Sequence, residues 1–236
     1  MSHLIINDLT THYDTSHILF DISLEVKEGE VVCLLGRNGA GKTTTLKSIM
    51  GIALASSGTI TFNGQNLVGL PPYEIARLGI GYVPDERLIF PDLTVRENLE
   101  IAQKKGRTFN GESWTWEKVY ELFPPLTELD ANLGGYLSGG EQQMLSVGRA
   151  LMGNPSLLLL DEPVEGVAPI IVQQLGQQIK KLKQMGLTIL LAEQNIKFAM
   201  DISDRAYIIE TGRIRYEGSI TDLAKQEQVK QKYLMV

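Results

Sequence analysis

The chain has 236 residues and a formal net charge of −6, so it can bury a sizeable core as one large domain or as a domain with a subdomain. Hydrophobic residues make up 43% and charged residues 21%, which is typical of a folded globular protein, and the lack of a long basic run argues against a nucleic-acid partner. No apolar run approaches the roughly 18 residues of a membrane-spanning helix, no secretory signal opens the sequence, and the single Cys33 excludes an internal disulfide.

The first predicted strands are residues 4–9 and 18–26, and apolar residues alternate along the second. All three histidines of the chain lie in this N-terminal region, which excludes a histidine-based metal site or catalytic dyad in the remainder. Tyr13 lies between the two strands. An exposed tyrosine here could stack on a purine base, and a core or surface tyrosine is an equally good interpretation of the sequence alone.

A phosphate-binding loop follows the next strand. Residues 31–35, VVCLL, predict a strand buried on both faces, and residues 44–50 predict a helix. Between them, GRNGAGKT fits the pattern G-x-x-x-x-G-K-[ST] at every fixed position. The residues expected to bind the nucleotide here are Gly36, Arg37, Asn38, Gly39, Ala40, Gly41, Lys42, Thr43 and Thr44.

The chemistry of phosphate explains the composition of this loop. Backbone N–H groups must reach the phosphate oxygens, so side chains are absent and the turn is tight. The N-terminus of the following helix adds partial positive charge. Lys42 can neutralise the β- and γ-phosphates, and the hydroxyl of Thr43 can bind Mg²⁺. The loop predicts a nucleoside triphosphate ligand, and the rest of the chain must identify the class.

A second strand of the core is predicted at residues 80–84, after a strand at 58–62 and a helix at 71–78. Asp85 follows it directly. Open α/β sheets collect their ligand-binding groups at the carboxyl ends of parallel strands, so Asp85 is a candidate site residue.

Residues 92–136 have a different character and show no strand pattern. Thr94 and Glu97 form a predicted capping box that begins a helix over residues 95–103, and a second helical stretch covers 114–123. We therefore predict a helical subdomain, residues 92–136, inserted into an α/β core formed by residues 1–91 and 137–236. The aromatic residues of the second stretch are interpreted as core or as a partner-facing patch.

The sequence LSGGEQQ at residues 137–143 opens another helix, which is predicted to continue to about Met152. Ser138 is a natural N-cap, and Glu141 completes a capping box. The local chemistry is compatible with an ordinary helix start. A helix N-terminus that carries Gly139 and Gly140 is also a second phosphate-accepting device in the same chain.

Two adjacent acids end the apolar strand predicted at residues 157–160. Asp161, leaving the end of the strand, is placed to bind Mg²⁺ directly or through water. Glu162 beside it can act as the general base toward the attacking water. In a chain that also has a phosphate loop, this arrangement predicts nucleotide hydrolysis.

The remaining predicted elements are a helix with an apolar stripe over residues 171–182, a strand at 187–192 and a hairpin formed by 206–210 and 213–217. The strand at 187–192 ends in the run Glu193, Gln194 and Asn195. Ser219 and Asp222 cap a single C-terminal helix that is predicted to reach about Tyr233.

Three of these motifs, in this order and spacing, resemble the Walker A, signature and Walker B motifs of ABC-transporter ATPase subunits: residues 36–43, 137–142 and 157–163. The resemblance covers essentially the whole chain. It implies an α/β P-loop NTPase core with a mostly parallel sheet, an antiparallel β subdomain and the inserted helical subdomain. It also implies a head-to-tail pair of subunits, in which ATP on one subunit is covered by Ser138, Gly139 and Gly140 of the other. Tyr13 then takes the place of the adenine-stacking aromatic residue.

The sequence departs from the common family pattern at three places. Asp85 replaces the usual glutamine, Gln194 replaces the switch histidine, and residues 164–169 read VEGVAP in place of an SALD-like run. Asp85 is expected to contribute to Mg²⁺ binding and catalysis from the glutamine's position. Gln194 can donate a hydrogen bond to the γ-phosphate but cannot titrate near neutral pH.

These departures resemble the second ATPase subunit of branched-chain (hydrophobic) amino-acid importers, and the ATPases of urea importers fit nearly as well. The resemblance implies a second ATPase subunit, identical or not, membrane permease subunits, and indirectly a solute-binding protein outside the cell. It implies a peripheral location on the cytoplasmic face of the inner membrane. The alternatives are an ATPase of lipid or lipopolysaccharide export, and an ABC switch protein that acts on ribosomes or DNA.

Overall fold

The computed structural model describes residues 2–104 and 111–233. The described strands, in chain order, are β1 (Ser2–Tyr13), β2 (Ser16–Lys27), β3 (Val31–Leu35), β4 (Ala55–Phe62), β5 (Gln65–Asn66), β6 (Ile80–Val83), β7 (Leu157–Asp161), β8 (Thr188–Glu193), β9 (Arg205–Glu210) and β10 (Arg213–Ser219).

The described helices, in chain order, are α1 (Lys42–Ile49), α2 (Pro72–Leu78), α3 (Val95–Glu100), α4 (Trp116–Leu122), α5 (Pro125–Glu128), α6 (Gly139–Met152), α7 (Pro169–Gln184), α8 (Ile196–Ile202), α9 (Ile220–Lys225) and α10 (Glu227–Tyr233). A 3₁₀ turn, Gly134–Tyr136, precedes α6. Within the described ranges, none of the helices is long and apolar enough to cross a bilayer.

A six-stranded sheet forms the centre of the molecule, in the order β10-β9-β3-β8-β7-β6. All neighbouring strands in it are parallel except the β9–β10 hairpin. Every residue of β3, β7 and β8 is buried, because helices cover one face of the sheet and helices together with strands β1 and β2 cover the other. Continuous apolar runs in the sequence therefore correspond to the central strands, and the expectation of a mostly parallel sheet is confirmed.

A second, four-stranded sheet has the order β2-β1-β4-β5 and is antiparallel throughout. In β2, Leu19, Ile22, Leu24 and Val26 are buried while most of their neighbours are at least partly exposed. One face of this sheet packs on the core and the other faces solvent, as the alternating pattern of the sequence predicts. The sheet is the antiparallel β subdomain expected from the family resemblance.

The described parts of residues 92–136 contain α3, α4, α5 and the 3₁₀ turn, and no strand. The predicted capping box of Thr94 and Glu97 is present at the start of α3. Val95, Leu99 and Val119 pack with α6 in one continuous apolar cluster. Gly148 of α6 is part of this contact. The division of the chain into a core and an inserted subdomain stays a prediction.

Several element boundaries differ from those predicted. α1 begins at Lys42, two residues early, because Gly41 already provides the left-handed turn at the N-cap. α3 ends at Glu100 and not at residue 103. The prediction of a single C-terminal helix is wrong, since the chain leaves helical geometry at Gln226 between α9 and α10. Residues 105–110 of the predicted loop after α3 lie outside the described residues.

The aromatic residues of the second helical stretch belong to the core at two of their three positions. Trp114 is 4% exposed and Tyr120 is 7% exposed. Trp116 is partly buried, and the guanidinium of Arg96 lies 3.4 Å from the centre of its ring. The core interpretation therefore holds for Trp114 and Tyr120.

Candidate nucleotide-binding site

The carboxyl ends of four parallel strands bring the predicted site residues to one edge of the central sheet. The phosphate loop leaves β3, Asp85 follows β6, Asp161 ends β7, and Gln194 follows β8. The register pairs Leu35 with Glu193 and Asp161 with Ala192, which places these ends level with each other. Residues up to about 160 positions apart in the chain thus meet at this edge.

The conformation of the phosphate loop requires its glycines. Gly39 and Gly41 have φ values of 76° and 111°, in the left-handed region that side chains disfavour. A Cβ at Gly36 would lie 2.6 Å from the carbonyl oxygen of Ile209. The loop is fixed to the sheet because Gly36 N–H donates to the carbonyl of Glu193. The loop is therefore anchored to the sheet, and its backbone carries no side chain at the glycines.

Lys42 lies inside the loop and is 3% exposed. Its ammonium donates to the carbonyl oxygens of Gly36 (2.9 Å) and Arg37 (3.1 Å) and pairs with Glu162 at 2.8 Å. The cation is thus held at the mouth of the loop, where phosphate oxygens can compete for its hydrogen bonds. This contact joins the first predicted motif to the second acid of the β7 end.

Asp161 is fully buried and accepts two hydrogen bonds. Thr43 Oγ1 donates to one carboxyl oxygen at 3.0 Å, and the hydroxyl of Tyr82 donates to the other at 3.1 Å. Burial raises the pKa of Asp161 to about 6, and the neighbouring charges of Asp85 and Glu162 add to the rise, while the two hydrogen bonds oppose it. A divalent cation beside Thr43 and Asp161 would favour the ionised carboxylate.

Glu162 adopts a left-handed backbone conformation, with φ of 44°. This region is uncommon for a residue with a side chain and costs on the order of 1–3 kcal/mol, so the surroundings must impose it. Its N–H donates to the carbonyl of Ala192, which ties the turn to β8. The turn keeps the carboxylate of Glu162 within 2.8 Å of the Lys42 ammonium. Strained residues of this kind cluster at functional sites.

Glu193 is a buried acid of this edge to which the sequence pattern assigned no role. One of its carboxyl oxygens accepts from the N–H groups of Gln194 (3.1 Å) and Asn195 (3.0 Å). The other is buried and has no hydrogen-bond partner among the described residues. Burial raises the pKa of Glu193 to about 7, and the charge of Glu162 adds to it. Gln194 thus starts from a turn that a carboxylate holds in place.

Glu165 and Tyr82 are two further residues of the site to which the sequence pattern assigned no role. The carboxyl of Glu165 hydrogen-bonds that of Glu162, which raises the pKa of Glu165 because two carboxylates so close cannot both ionise freely. The hydroxyl of Tyr82, on strand β6, donates to Asp161 at the end of the neighbouring strand β7. Neither contact leaves a signal in the sequence, since both depend on strand order and on the path of a loop.

The other predicted site residues are at least partly exposed. Tyr13 is 44% exposed at the end of β1, and Asp85 and Gln194 are exposed. Ser138 caps α6 and accepts from Glu141 N–H, so the predicted capping box is present. Ser138 is exposed, and Gly139 and Gly140 are partly exposed. The assignment of these residues to the site stays a prediction.

A cavity of about 240 Å³ lies over the phosphate loop and is lined by Ile18, Gly39, Gly41, Lys42, Thr43, Thr44 and Glu162. None of the three signature residues lines it. The residues present fit a triphosphate, because bare backbone and a lysine meet at a helix N-terminus. They also fit Mg²⁺, since Thr43 and Asp161 offer two oxygens 3.0 Å apart and the phosphates supply others.

Comparison with known proteins identifies the family. Residues 19–165 match the model of the ABC transporter family. The chain belongs to this family of ATP-binding proteins, whose members are ATPases that power transport.

Among individual relatives, the chain is 45% identical to a high-affinity branched-chain amino-acid transport ATP-binding protein of Pseudomonas aeruginosa, with 98% of this chain and 99% of the relative covered. It is 38% identical to a probable branched-chain amino-acid transport ATP-binding protein of Archaeoglobus fulgidus, with 93% of each covered. It is also 38% identical to a lipopolysaccharide export system ATP-binding protein of Haemophilus influenzae, over 99% of this chain and 98% of the relative.

Solved structures agree with the fold. The ADP conformation of an ATP-binding cassette of an ABC transporter matches with a TM-score of 0.81 and 27% identity, covering 98% of both chains. A nucleotide-free cassette of an ABC transporter matches with a TM-score of 0.82 and 27% identity over 97% of both. The fold class predicted from the three motifs is thereby confirmed, and the chain is an ATP-binding cassette.

Proposed function

We propose that the chain is the ATP-hydrolysing subunit that energises an importer of branched-chain or other neutral amino acids. The observation that carries the proposal is the meeting of Lys42, Thr43, Asp161 and Glu162 at one sheet edge. The substrate class rests on the two relatives that serve branched-chain amino-acid transport. It rests also on Asp85, Gln194 and the VEGVAP run, which depart from the common pattern in the same direction.

The side chains divide the chemistry between them. The loop backbone and Lys42 bind the β- and γ-phosphates, and Tyr13 stacks on the adenine. Thr43 and Asp161 would hold Mg²⁺, with Asp85 nearby, and the ion would supply positive charge against the charge that develops on the phosphates. Glu162 accepts the proton of the attacking water. Gln194 donates a hydrogen bond to the γ-phosphate and carries no proton in the reaction.

A second ATPase subunit completes the site. Ser138, Gly139 and Gly140 stand at the N-terminus of α6 with open faces, and they do not line the cavity over the phosphate loop of their own chain. A head-to-tail partner would bring its own copy of this helix start onto the γ-phosphate. The partner is a second copy of this chain or a related ATPase that carries the usual histidine.

Membrane permease subunits dock on the surface between the central sheet and the α3–α6 region. Two cavities, of about 540 and 280 Å³, lie between the central sheet and the α3–α6 region. Exposed apolar side chains border them: Leu88 (62%), Ile101 (62%), Tyr73 (59%) and Ile52 (50%). Such a patch suits an apolar segment of a partner. Docking there makes the chain a peripheral protein on the cytoplasmic face of the membrane, linked indirectly to a solute-binding protein outside.

The proposal is tested by removing the base in the host of this protein. A strain whose chromosomal copy carries Glu162→Gln should lose uptake of radiolabelled leucine, because a positioned base contributes roughly 10²–10⁴-fold to turnover. The purified variant should still bind ATP in calorimetry. The matched control is Glu86→Gln, an exposed acid whose side chain is 54% exposed and which should leave uptake unchanged.

The lipopolysaccharide-export relative motivates a second candidate function. If the Glu162→Gln strain takes up leucine normally but fails to deliver lipopolysaccharide to its surface, the export function replaces the importer. A strain that is normal in both respects would remove both transport assignments.

The docking surface makes a separate prediction. Leu88→Glu should abolish leucine uptake, because a charge cannot be buried unpaired in an apolar interface. ATP binding by the purified variant should be unchanged, since Leu88 lines the 280 Å³ cavity and not the cavity over the phosphate loop. Leu54→Glu is the control: Leu54 is 73% exposed and borders neither cavity. Normal uptake in the Leu88 variant would place the permease elsewhere.

A further inference from the structure

The loop between β6 and α3 is held in an unusual conformation by α6. Arg87 and Leu88 have φ values of 64° and 42°, two consecutive left-handed residues with side chains. The hydroxyl of Ser146 donates to the carbonyl of Arg87 at 2.7 Å, and Arg149 donates to the carbonyl of Leu88 at 2.8 Å. Such a conformation persists only where neighbours determine it, so the loop cannot move independently of α6.

The guanidinium of Arg87 contacts two segments that are distant from it in sequence. Its Nε donates to the side chain of Gln143 in α6 at 3.2 Å, and its Nη2 donates to the backbone carbonyl of Glu165 at 3.1 Å. It also lies against Gly139, where an added Cβ would approach Nη1 to 2.8 Å. One side chain therefore joins the β6–α3 loop to the start of α6 and to the loop after Glu162.

The proposed mechanism gives Arg87 no direct role in the reaction, but it gives a role to both of the segments that Arg87 joins. The start of α6 is the surface that covers the partner's nucleotide, and the Glu165 loop follows directly on the base Glu162. Leu88, the next residue along the chain, borders the proposed permease cavity. Arg87 thus lies between a surface for the membrane partner and two parts of the nucleotide machinery.

We propose that Arg87 is a positioning residue that links the β6–α3 loop, which carries Leu88, to the start of α6 and to the loop that contains Glu165. A displacement of Leu88 by a docked permease moves Arg87, and its two hydrogen bonds carry the movement to both segments together. The inference rests on the proposed docking surface and ATP-covering role. An arginine is required because its planar fork supplies donors in fixed directions, whereas lysine has one nitrogen on a flexible stem.

The test compares Arg87→Ala and Arg87→Lys with Arg96→Ala. Arg96 is the matched control, since it pairs with Asp130 and stacks on Trp116, and neither of these residues belongs to α6. Hydrogen exchange of the purified chain is measured in peptides covering residues 137–143 and 164–168. Both Arg87 variants should exchange faster in both peptides, and the phosphate-loop peptide and ATP affinity should stay unchanged. The control should match the parent throughout.

The kinetics of ATP turnover distinguish a positioning role from a purely structural one. They are measured on the complex that co-purifies with this chain, so the solute need not be known. Both Arg87 variants should lower the kcat of ATP turnover roughly ten- to hundredfold with KM within about twofold, as misplacement of distant groups does. An unchanged kcat, or equal rises in KM alone, overturns the proposal. Full activity of Arg87→Lys also overturns it, because charge alone would then suffice.

Gln143→Leu keeps the proposal testable where Arg87→Ala does not fold. Gln143 is 2% exposed, and its amide nitrogen has no hydrogen-bond partner among the described residues, so leucine fits the site. Exchange should rise in the peptide 137–143 and stay unchanged in 164–168, because the Glu165 contact is retained. Exchange that is unchanged in both peptides overturns the link. If the chain proves not to serve amino-acid uptake, these exchange patterns still hold, so the two failures are distinguishable.

Discussion

At the scale of single residues, charged groups are buried at the nucleotide edge without the hydration they have in water. Asp161 and Glu193 are 0% and 1% exposed, and burial raises the pKa of both. Asp161 is compensated by the hydroxyls of Thr43 and Tyr82. Glu193 is compensated on one oxygen only, by two backbone N–H groups. The buried carboxylate of Glu193, which accepts from the N–H of Gln194, therefore lowers the stability of the chain when it is ionised. A loss of stability of this kind is common at functional sites.

Glu193 makes a pH-dependent prediction. Its pKa rises from 4.5 to about 7 on folding, so its contribution to stability is full below pH 4.5 and is lost as the pH rises toward 7. Glu162 is the charged group that faces it, and it opposes ionisation further. Glutamine at this position is neutral at every pH. The free energy of unfolding of Glu193→Gln, relative to the parent, should therefore increase by roughly 1–3 kcal/mol between about pH 5 and pH 8.

Urea denaturation at both pH values measures this difference. Glu86→Gln, at an exposed acid, is the control and should show the same difference at both. A Glu193→Gln variant that loses stability relative to the parent as the pH rises would show that the carboxylate is better solvated than its burial indicates.

At the scale of elements, α6 joins the helices of residues 92–136 to the β6–α3 loop. Ser138 and Glu141 cap its start, and its middle packs on α3 and α4. Arg149, near its end, donates to the β6–α3 loop. The close approach of α4 depends on Gly148, because an added Cβ there would lie 2.7 Å from Val119 Cγ1 and 3.2 Å from Leu99. Glycine in a helix interior is otherwise unfavourable, so packing accounts for it.

Gly148→Ala should consequently destabilise the chain by roughly 1–3 kcal/mol, because overpacking outweighs the better helix propensity of alanine. Denaturant unfolding measures the effect, and ATP affinity should be unchanged. The companion variant Val119→Ala removes the methyl group that Gly148→Ala would strike. The double variant should be more stable than the sum of the two single effects predicts, and strict additivity would show that the contact does not exist.

At the scale of the whole molecule, the proposed mechanism uses two separate groups of residues. The phosphate loop, Asp161 and Glu162 form one group, and Ser138, Gly139 and Gly140, which do not line the phosphate cavity, form the other. Because the signature residues do not line the phosphate cavity of their own chain, the proposed mechanism requires a second subunit for turnover. Gln194 replaces the usual histidine, which favours a partner that is not identical.

Hydrolysis by the purified chain alone, with Mg²⁺ and over a range of protein concentrations, tests this expectation. We expect ATP binding with turnover far below that of the assembled transporter, because Gln194 in place of the usual histidine favours a partner that is not identical. Substantial turnover that rises with the square of the protein concentration would show instead that two copies of this chain form working sites and that glutamine suffices at position 194.

Much of this cassette could be predicted from local sequence. The central strands were recognised because both of their faces are buried, which leaves continuous apolar runs such as VVCLL and LLLL. The capping boxes at Thr94 and Ser138 were recognised because they are made by residues three positions apart. The boundaries that were wrong, at Lys42 and Gln226, are set by backbone geometry at single residues, which the apolar pattern does not report.

By itself, the sequence determined the family, because it follows from the order and spacing of three local motifs, and the central strands, because each is a continuous apolar run. Only the tertiary structure decided that Lys42 pairs with Glu162, that Tyr82 supports Asp161, and that Arg87 reaches both Gln143 and Glu165. The physical reason is that these contacts join segments brought together by strand order and register. Hydrogen bonds between such segments depend on distances of a few ångströms that no local pattern of residues records.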